Sequence, residues 1–245
     1  MVHEPAIGSD NEAQKAKRKA PMAVDTELSA TDHIVDQDIE LIVQWTKDLF
    51  SSDQIIKAKE DFYWKSGKVF SHEEWFHRRM SYFIDQFVFS RVLEIKDDKF
   101  KSQTPYEAYK KDPNLPTLSL KSFRHSFFKV TKIGLKTMNL KDLLQKKKHV
   151  ITSRPNETFQ GVEKGHIFQG FFYDLGYVKF LSRGLVFHPK KSHGFLEKCI
   201  KKHLKSETKD EAKFLSLAAK AQLKTLRHPH VAGLTIYKEH PLLDH

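Results

Sequence analysis

Apolar residues first recur with helical spacing from Asp36 onward. Ile39, Ile42, Val43, Thr46, Leu49 and Phe50 fall three or four positions apart, which places them on one face of an α-helix. Ser51 and Gln54 fit a capping box that restarts the chain into a second helix, carrying Ile55, Ile56, Lys59, Phe62 and Tyr63 and stopped by Ser66-Gly67. Ser71 followed by Glu74 reads as another capping box, with Phe70 and Trp75 at the staple positions, before Phe76, Met80, Phe83, Ile84 and Phe87. Thr104-Pro105-Tyr106-Glu107 predicts a short fourth helix, with a Thr cap, proline at the first helical position and Glu at the third, ended by Asp112-Pro113.

The period changes after Phe127. Phe128 to Thr131, Val150 to Thr152, Ile167 to Tyr173 and Tyr177 to Phe187 read as strands, with a hairpin-like Asp174-Leu175-Gly176 between the last two. Glycines at 134, 161, 165, 170, 176 and 184 punctuate this stretch, as a tightly curved sheet requires. Helical spacing returns after Pro189. Phe195, Leu196, Cys199, Ile200, His203 and Leu204 form one face. Thr208 with Glu211 predicts a cap for a helix carrying Phe214, Leu217, Ala218 and Ala221, stopped by His228-Pro229-His230. Leu234 to Tyr237 reads as one more strand.

These elements predict an α+β protein: a helical N-terminal half, a small curled antiparallel sheet or half-barrel, and a C-terminal helical pair packing on the rest. The expected divisions are a disordered leader over 1–30, a helical region over 31–120, a small basic β domain over 121–188 and C-terminal helices over 189–245.

Charge changes the picture. Residues 121–205 hold 19 Lys+Arg against 5 Asp+Glu, a balance of +14, while the whole chain is +11. An excess confined to one region makes a local positive field that attracts polyanions. Lys146, Lys147 and Lys148 sit just before a predicted strand, at an expected hairpin tip, and Arg154 follows it. Lys190 and Lys191 precede the next helix, and Lys201 and Lys202 lie on it. Together they are the candidate nucleic-acid-binding residues, with Phe159, Phe168 or Tyr177 as stacking partners. A solvated basic surface is the alternative. The N-terminal Lys15, Lys17, Arg18 and Lys19 form a short basic tail.

Other chemistries find little footing. The single Cys199 excludes an intramolecular disulfide and a zinc site with two thiolates, and points to a reducing cytoplasm. It falls on an apolar helix face, where a thiol is a packing group. Of the 14 histidines, His228 and His230 are the closest pair, but no HExxH or Cys/His spacing is present, so no metal and no cofactor is expected. There is no G-x-S-x-G elbow and no phosphate-binding glycine loop. The block's five acids, Asp142, Glu157, Glu163, Asp174 and Glu197, are far apart in sequence. No apolar run approaches the ~18–20 residues needed to span a bilayer, and Met1 to Ala30 lacks the apolar core of a secretory signal.

A longer ordered pattern runs from Tyr82-Phe83 through Ser90-Arg91 to Thr104-Pro105-Tyr106-Glu107-Ala108-Tyr109. It continues with Ser126-Phe127-Phe128-Lys129-Val130 and Leu140-Lys141-Asp142-Leu143-Leu144. Val162-Glu163-Lys164-Gly165-His166-Ile167-Phe168 and Phe187-His188-Pro189 complete it. This order resembles a group of uncharacterised bacterial cytosolic proteins, many with a SEC-C zinc motif at one end, in which a helical segment precedes a small β domain. The resemblance covers roughly residues 76–204. It implies architecture more than activity, and with one cysteine the zinc motif is not carried over.

The expectation is therefore a non-enzymatic cytosolic binding protein that contacts nucleic acid or another polyanion through the basic β domain. A protein–protein adaptor is the alternative. An enzymatic reading requires a pocket that gathers acids or histidines from distant positions.

Overall fold

The computed structural model describes residues 30–92, 102–154, 157–207 and 209–239. The expected leader over 1–30 lies almost wholly outside them. Four helices come first: α1 (Ala30–Leu49), α2 (Ser52–Ser66), α3 (Phe76–Ser90) and α4 (Pro105–Lys111). Six antiparallel strands follow: β1 (Ser122–Ile133), β2 (Thr137–Asp142), β3 (Lys148–Thr152), β4 (Ile167–Asp174), β5 (Lys179–Leu181) and β6 (Val186–Phe187). A 3-10 turn at Lys190–Ser192 leads into α5 (His193–His203), α6 (Glu211–Arg227) and α7 (Gly233–Glu239). The class is α+β.

The strands lie in the order β3-β2-β1-β4-β5, with β6 added beside β4. The sheet curls into a nearly closed half-barrel, bringing β3 close to β5. Side chains alternate across a strand, and here both faces are apolar. Phe128, Met138, Leu140, Ile151, Phe168 and Phe172 fill the concave side. On the convex side, Phe171 and Tyr173 meet α1, α3 and α4, while Phe127 and Ile167 meet α5, α6 and α7. β4 is covered on both sides, which is why Ile167-Phe168-Gln169-Gly170-Phe171-Phe172-Tyr173 carries no polar alternation and every one of these residues is buried.

The caps explain where helices start. Gln54 accepts from the Ser51 N–H at 3.1 Å, and Glu107 from the Thr104 N–H at 2.9 Å. Asp210 accepts from the Lys213 N–H at 2.8 Å and so caps α6, while the expected cap, Thr208, lies outside the described residues.

Three expectations need correction. Ser71 and Glu74 do not cap α3. Glu73 instead accepts from the Phe70 N–H at 2.8 Å and pairs with Arg227 of α6 at 2.7 Å, which folds residues 71–75 into turns and delays the helix to Phe76. Leu234 to Tyr237 is helix: the adjacent Ile236 and Tyr237 are both buried, which an edge strand with one covered face does not allow. The stretch Tyr177 to Phe187 is two short strands, β5 and β6, split by a bend at Ser182–Leu185 in which Gly184 is pressed against α3. Residues 137–142, to which the sequence reading gives no element, form β2, in which Met138 and Leu140 are buried between exposed Thr137 and Lys141.

Candidate polyanion interface

Register decides which cations share a surface. Lys129 on β1 pairs across to Lys141 on β2, and Lys141 pairs across to Lys148 on β3. All three point to the convex side, because Phe128, Leu140 and Ile151 occupy the concave one. Neighbouring strands are about 4.8 Å apart, so three lysines stand in a row across three strands. Like charges directly opposite one another destabilise a sheet. Among the described residues, Lys129 alone of the three has a carboxylate beside it, Glu197 of α5 at 2.7 Å. Exposed Val150 continues the same face of β3 without any helix above it.

The β2–β3 turn extends the row. Asp142, fully buried, holds this turn: it accepts from the backbone N–H of Leu144 at 2.8 Å and of Gln145 at 2.9 Å. It also accepts from Ser126 Oγ at 2.6 Å and Arg124 Nε at 3.0 Å. Leu144 is drawn into the core with Leu196 and Ile200 of α5. Lys146, in left-handed backbone conformation at φ 61°, then projects with Lys147 and Lys148 into solvent. Among the described residues no carboxylate stands within ion-pair distance of Lys141, Lys146, Lys147 or Lys148. On α5, Lys201 follows Glu197 by one turn and so sits on the side of the helix that faces Lys129.

The rest of the expected set is placed elsewhere. Arg154 is 5% exposed, and its guanidinium lies against Asp36 of α1 at 3.2 Å, so it braces the half-barrel to the first helix and is no surface cation. Lys190 pairs with Glu163 at 2.6 Å. Lys190 and Lys191 precede α5 whereas Lys201 and Lys202 end it, and at 1.5 Å per residue the two pairs lie ~16 Å apart. Phe168 is fully buried in the concave core, where no base can reach it. Phe159 packs against that core. Tyr177, at the β4–β5 turn, is 74% exposed.

All five acids of residues 121–205 are engaged by cations of the same block: Asp142 by Arg124, Glu157 by Arg183, Glu163 by Lys190, Asp174 by Lys179 and Glu197 by Lys129. These pairs offset five cations of the block; the others are spread over the fold, Lys121, Lys132, Lys164, Lys191 and Lys198 among them, and the β2–β3 hairpin gathers four, Lys141, Lys146, Lys147 and Lys148. Reasoning from sequence missed Lys129 and Lys141. The alternation of Met138 and Leu140 with polar neighbours was the signal that would have found Lys141.

Cys199 is buried, and burial pushes its thiol up to about 11, as expected of a packing thiol and not a nucleophile. Among the described residues no three His, Cys, Asp or Glu side chains come together as metal ligands, and no helix is long and apolar enough to cross a membrane. No family model matches the chain, no curated protein matches it, and no solved structure matches its fold.

Proposed function

We propose that this protein is a non-enzymatic cytoplasmic binding protein that holds nucleic acid against the convex face of β1–β3. The observation that carries the reading is the cross-strand row Lys129–Lys141–Lys148, extended by Lys146 and Lys147 and opposed by one carboxylate. A phosphate backbone laid along this row relieves the repulsion between the lysines and releases its own counterions. Lys201 on α5 flanks the row, and Lys190 and Lys191 supply a second, separate cation pair ~16 Å away along the same helix. Binding of this kind is independent of sequence, since lysines on a sheet reach phosphates and not base edges. The single free thiol supports a cytoplasmic location, and kinship with the SEC-C-related bacterial proteins is part of the same proposal.

Fluorescence anisotropy with labelled single- and double-stranded DNA and RNA, at about 50 and about 200 mM salt, tests the reading. We expect binding that weakens steeply with salt. Replacing Lys141, Lys146, Lys147 and Lys148 by Gln should flatten the logarithmic salt dependence by about 0.7–0.9 for each phosphate that is no longer neutralised. Lys190→Gln with Lys191→Gln should have the smaller effect. A folded protein that binds none of these at low salt overturns the reading, and the hairpin would then be tested for an acidic protein partner.

A further inference from the structure

A cleft of about 480 Å³ opens between α2, α3 and α6, far from the basic hairpin in sequence and built from different elements. Ala58, Phe62, Phe83, Phe87 and Leu217 give it an apolar inner wall, and charged side chains, among them the exposed Lys65, Asp210, Lys213 and Lys220, stand round its rim. Trp64, 77% exposed, stands at the mouth. The volume is that of an ordinary small-molecule site.

His125 stands on the floor, with Gln86 and Ser216 beside it. The backbone carbonyl of Leu215 accepts from Gln169 Nε2 at 2.9 Å, which fixes the orientation of that amide. The same Nε2 donates to Tyr82 Oη at 2.7 Å. Tyr82 Oη, accepting from Gln169, lies 2.9 Å from His125 Nε2 and also meets the Gln86 side chain. In the tautomer in which Tyr82 donates to His125, Nε2 is the acceptor and the imidazole proton is on Nδ1. The ring stacks flat on Phe171, with centroids 4.1 Å apart and planes 8° apart, so it cannot swing. Among the described residues no acceptor takes the Nδ1 proton, and His125 borders the cleft. Burial, with a smaller push from Arg124, lowers the imidazole to about 3 and keeps it neutral.

We infer that this cleft is a binding site for an uncharged, mainly apolar small molecule bearing a carbonyl, whose oxygen accepts from His125 Nδ1. The chain from Gln169 through Tyr82 polarises that donor. A donor on a largely apolar inner wall favours a ligand that carries an acceptor, because the donor goes unsatisfied under a pure hydrocarbon.

The test uses prodan, a neutral aminonaphthyl ketone whose emission shifts to the blue out of water, beside dimethylaminonaphthalene, which lacks the ketone. Prodan should bind with a blue shift, about tenfold more tightly to the wild type than to His125→Phe, while the ketone-free compound should not distinguish the two. Ala212→Trp, at an exposed position on the wall, should exclude both. If prodan does not bind, or if His125→Phe affects both compounds alike, the inference fails. Should His125→Phe not fold, ring ¹⁵N shifts of the wild type decide. Protonated Nδ1 with a bare Nε2, and an Nδ1 resonance that moves on adding prodan, support the site. A proton on Nε2, or no movement, overturns it.

Discussion

Gly184 lies against the backbone of Tyr82: a Cβ at Gly184 would stand 2.4 Å from the Tyr82 nitrogen and 2.5 Å from its Cα. The bend between β5 and β6 is thereby fitted onto α3 with no room for a side chain. Gly184→Ala should destabilise the fold by about 3 kcal/mol, since neither backbone can move without disturbing a core on its far side. Gly194 in α5 is the control, because a Cβ there meets nothing within 4 Å. Gly194→Ala should be neutral or stabilising by up to about 1 kcal/mol. Urea unfolding of both variants compares them directly.

Asp142 has a comparable hold on the β2–β3 turn. Asp142→Ala leaves Arg124, Ser126 and two backbone N–H groups without their acceptor and should cost about 3 kcal/mol or more. Asp142→Asn keeps one oxygen and should cost less. If the basic hairpin binds nucleic acid, Asp142→Asn should also weaken binding, although the residue carries the same charge sign as a phosphate ligand. Repulsion alone would predict tighter binding, so the anisotropy titration separates positioning from charge.

Acid should unfold this protein early. Burial holds His125 and His188 down to about 3, and His149, His193 and His203 are lowered too. Groups with depressed folded values bind fewer protons in the folded chain, so stability falls as pH drops below about 6.5. Asp85 works the other way. Buried, and accepting from Ser182 and Tyr173, it is raised to about 7, so the stability it contributes is present below about 4 and lost as pH rises through 7. Burial raises the Asp38 carboxyl as well, and the five histidines outweigh these two carboxyls. Guanidinium midpoints should fall from pH 7.5 to pH 5, and Asp85→Asn should steepen the fall.

The Cys199 thiol reports opening of the C-terminal core. It is 1% exposed, with burial raising its thiol to about 11. Ellman's reagent should react with it at neutral pH far more slowly than with the unfolded chain. Rapid stoichiometric reaction in the absence of denaturant would show that α5 detaches readily.

The helices were legible because each wrote its apolar face into a single stretch, and Thr104 with Glu107 marks α4 as the structure has it. The α7 segment was misread since Leu234 to Tyr237 is too short to display a period, and only its partner His188 shows why Tyr237 is buried. Lysine runs drew attention to the β2–β3 hairpin, but Arg154, between two lysine groups along the chain, is buried against Asp36, 118 residues earlier. His125, Tyr82 and Gln169 could not be assembled from spacing at all, because three elements deliver them and local composition gives none of them away.

The place of α6 has a further consequence. Ala219 and Gln222 accept from the buried Arg79 of α3, Lys220 donates to the carbonyl of Trp64 in α2, and Arg227 grips Glu73 ahead of α3. The same helix presents Phe214 to Phe127 of the sheet. During synthesis the N-terminal helices leave the ribosome long before the segment that closes over them. Until α6 has emerged, Arg79 lacks these acceptors and the aromatic wall around Phe62 and Phe83 lies open, so the helices translated first are among the last to reach their final packing.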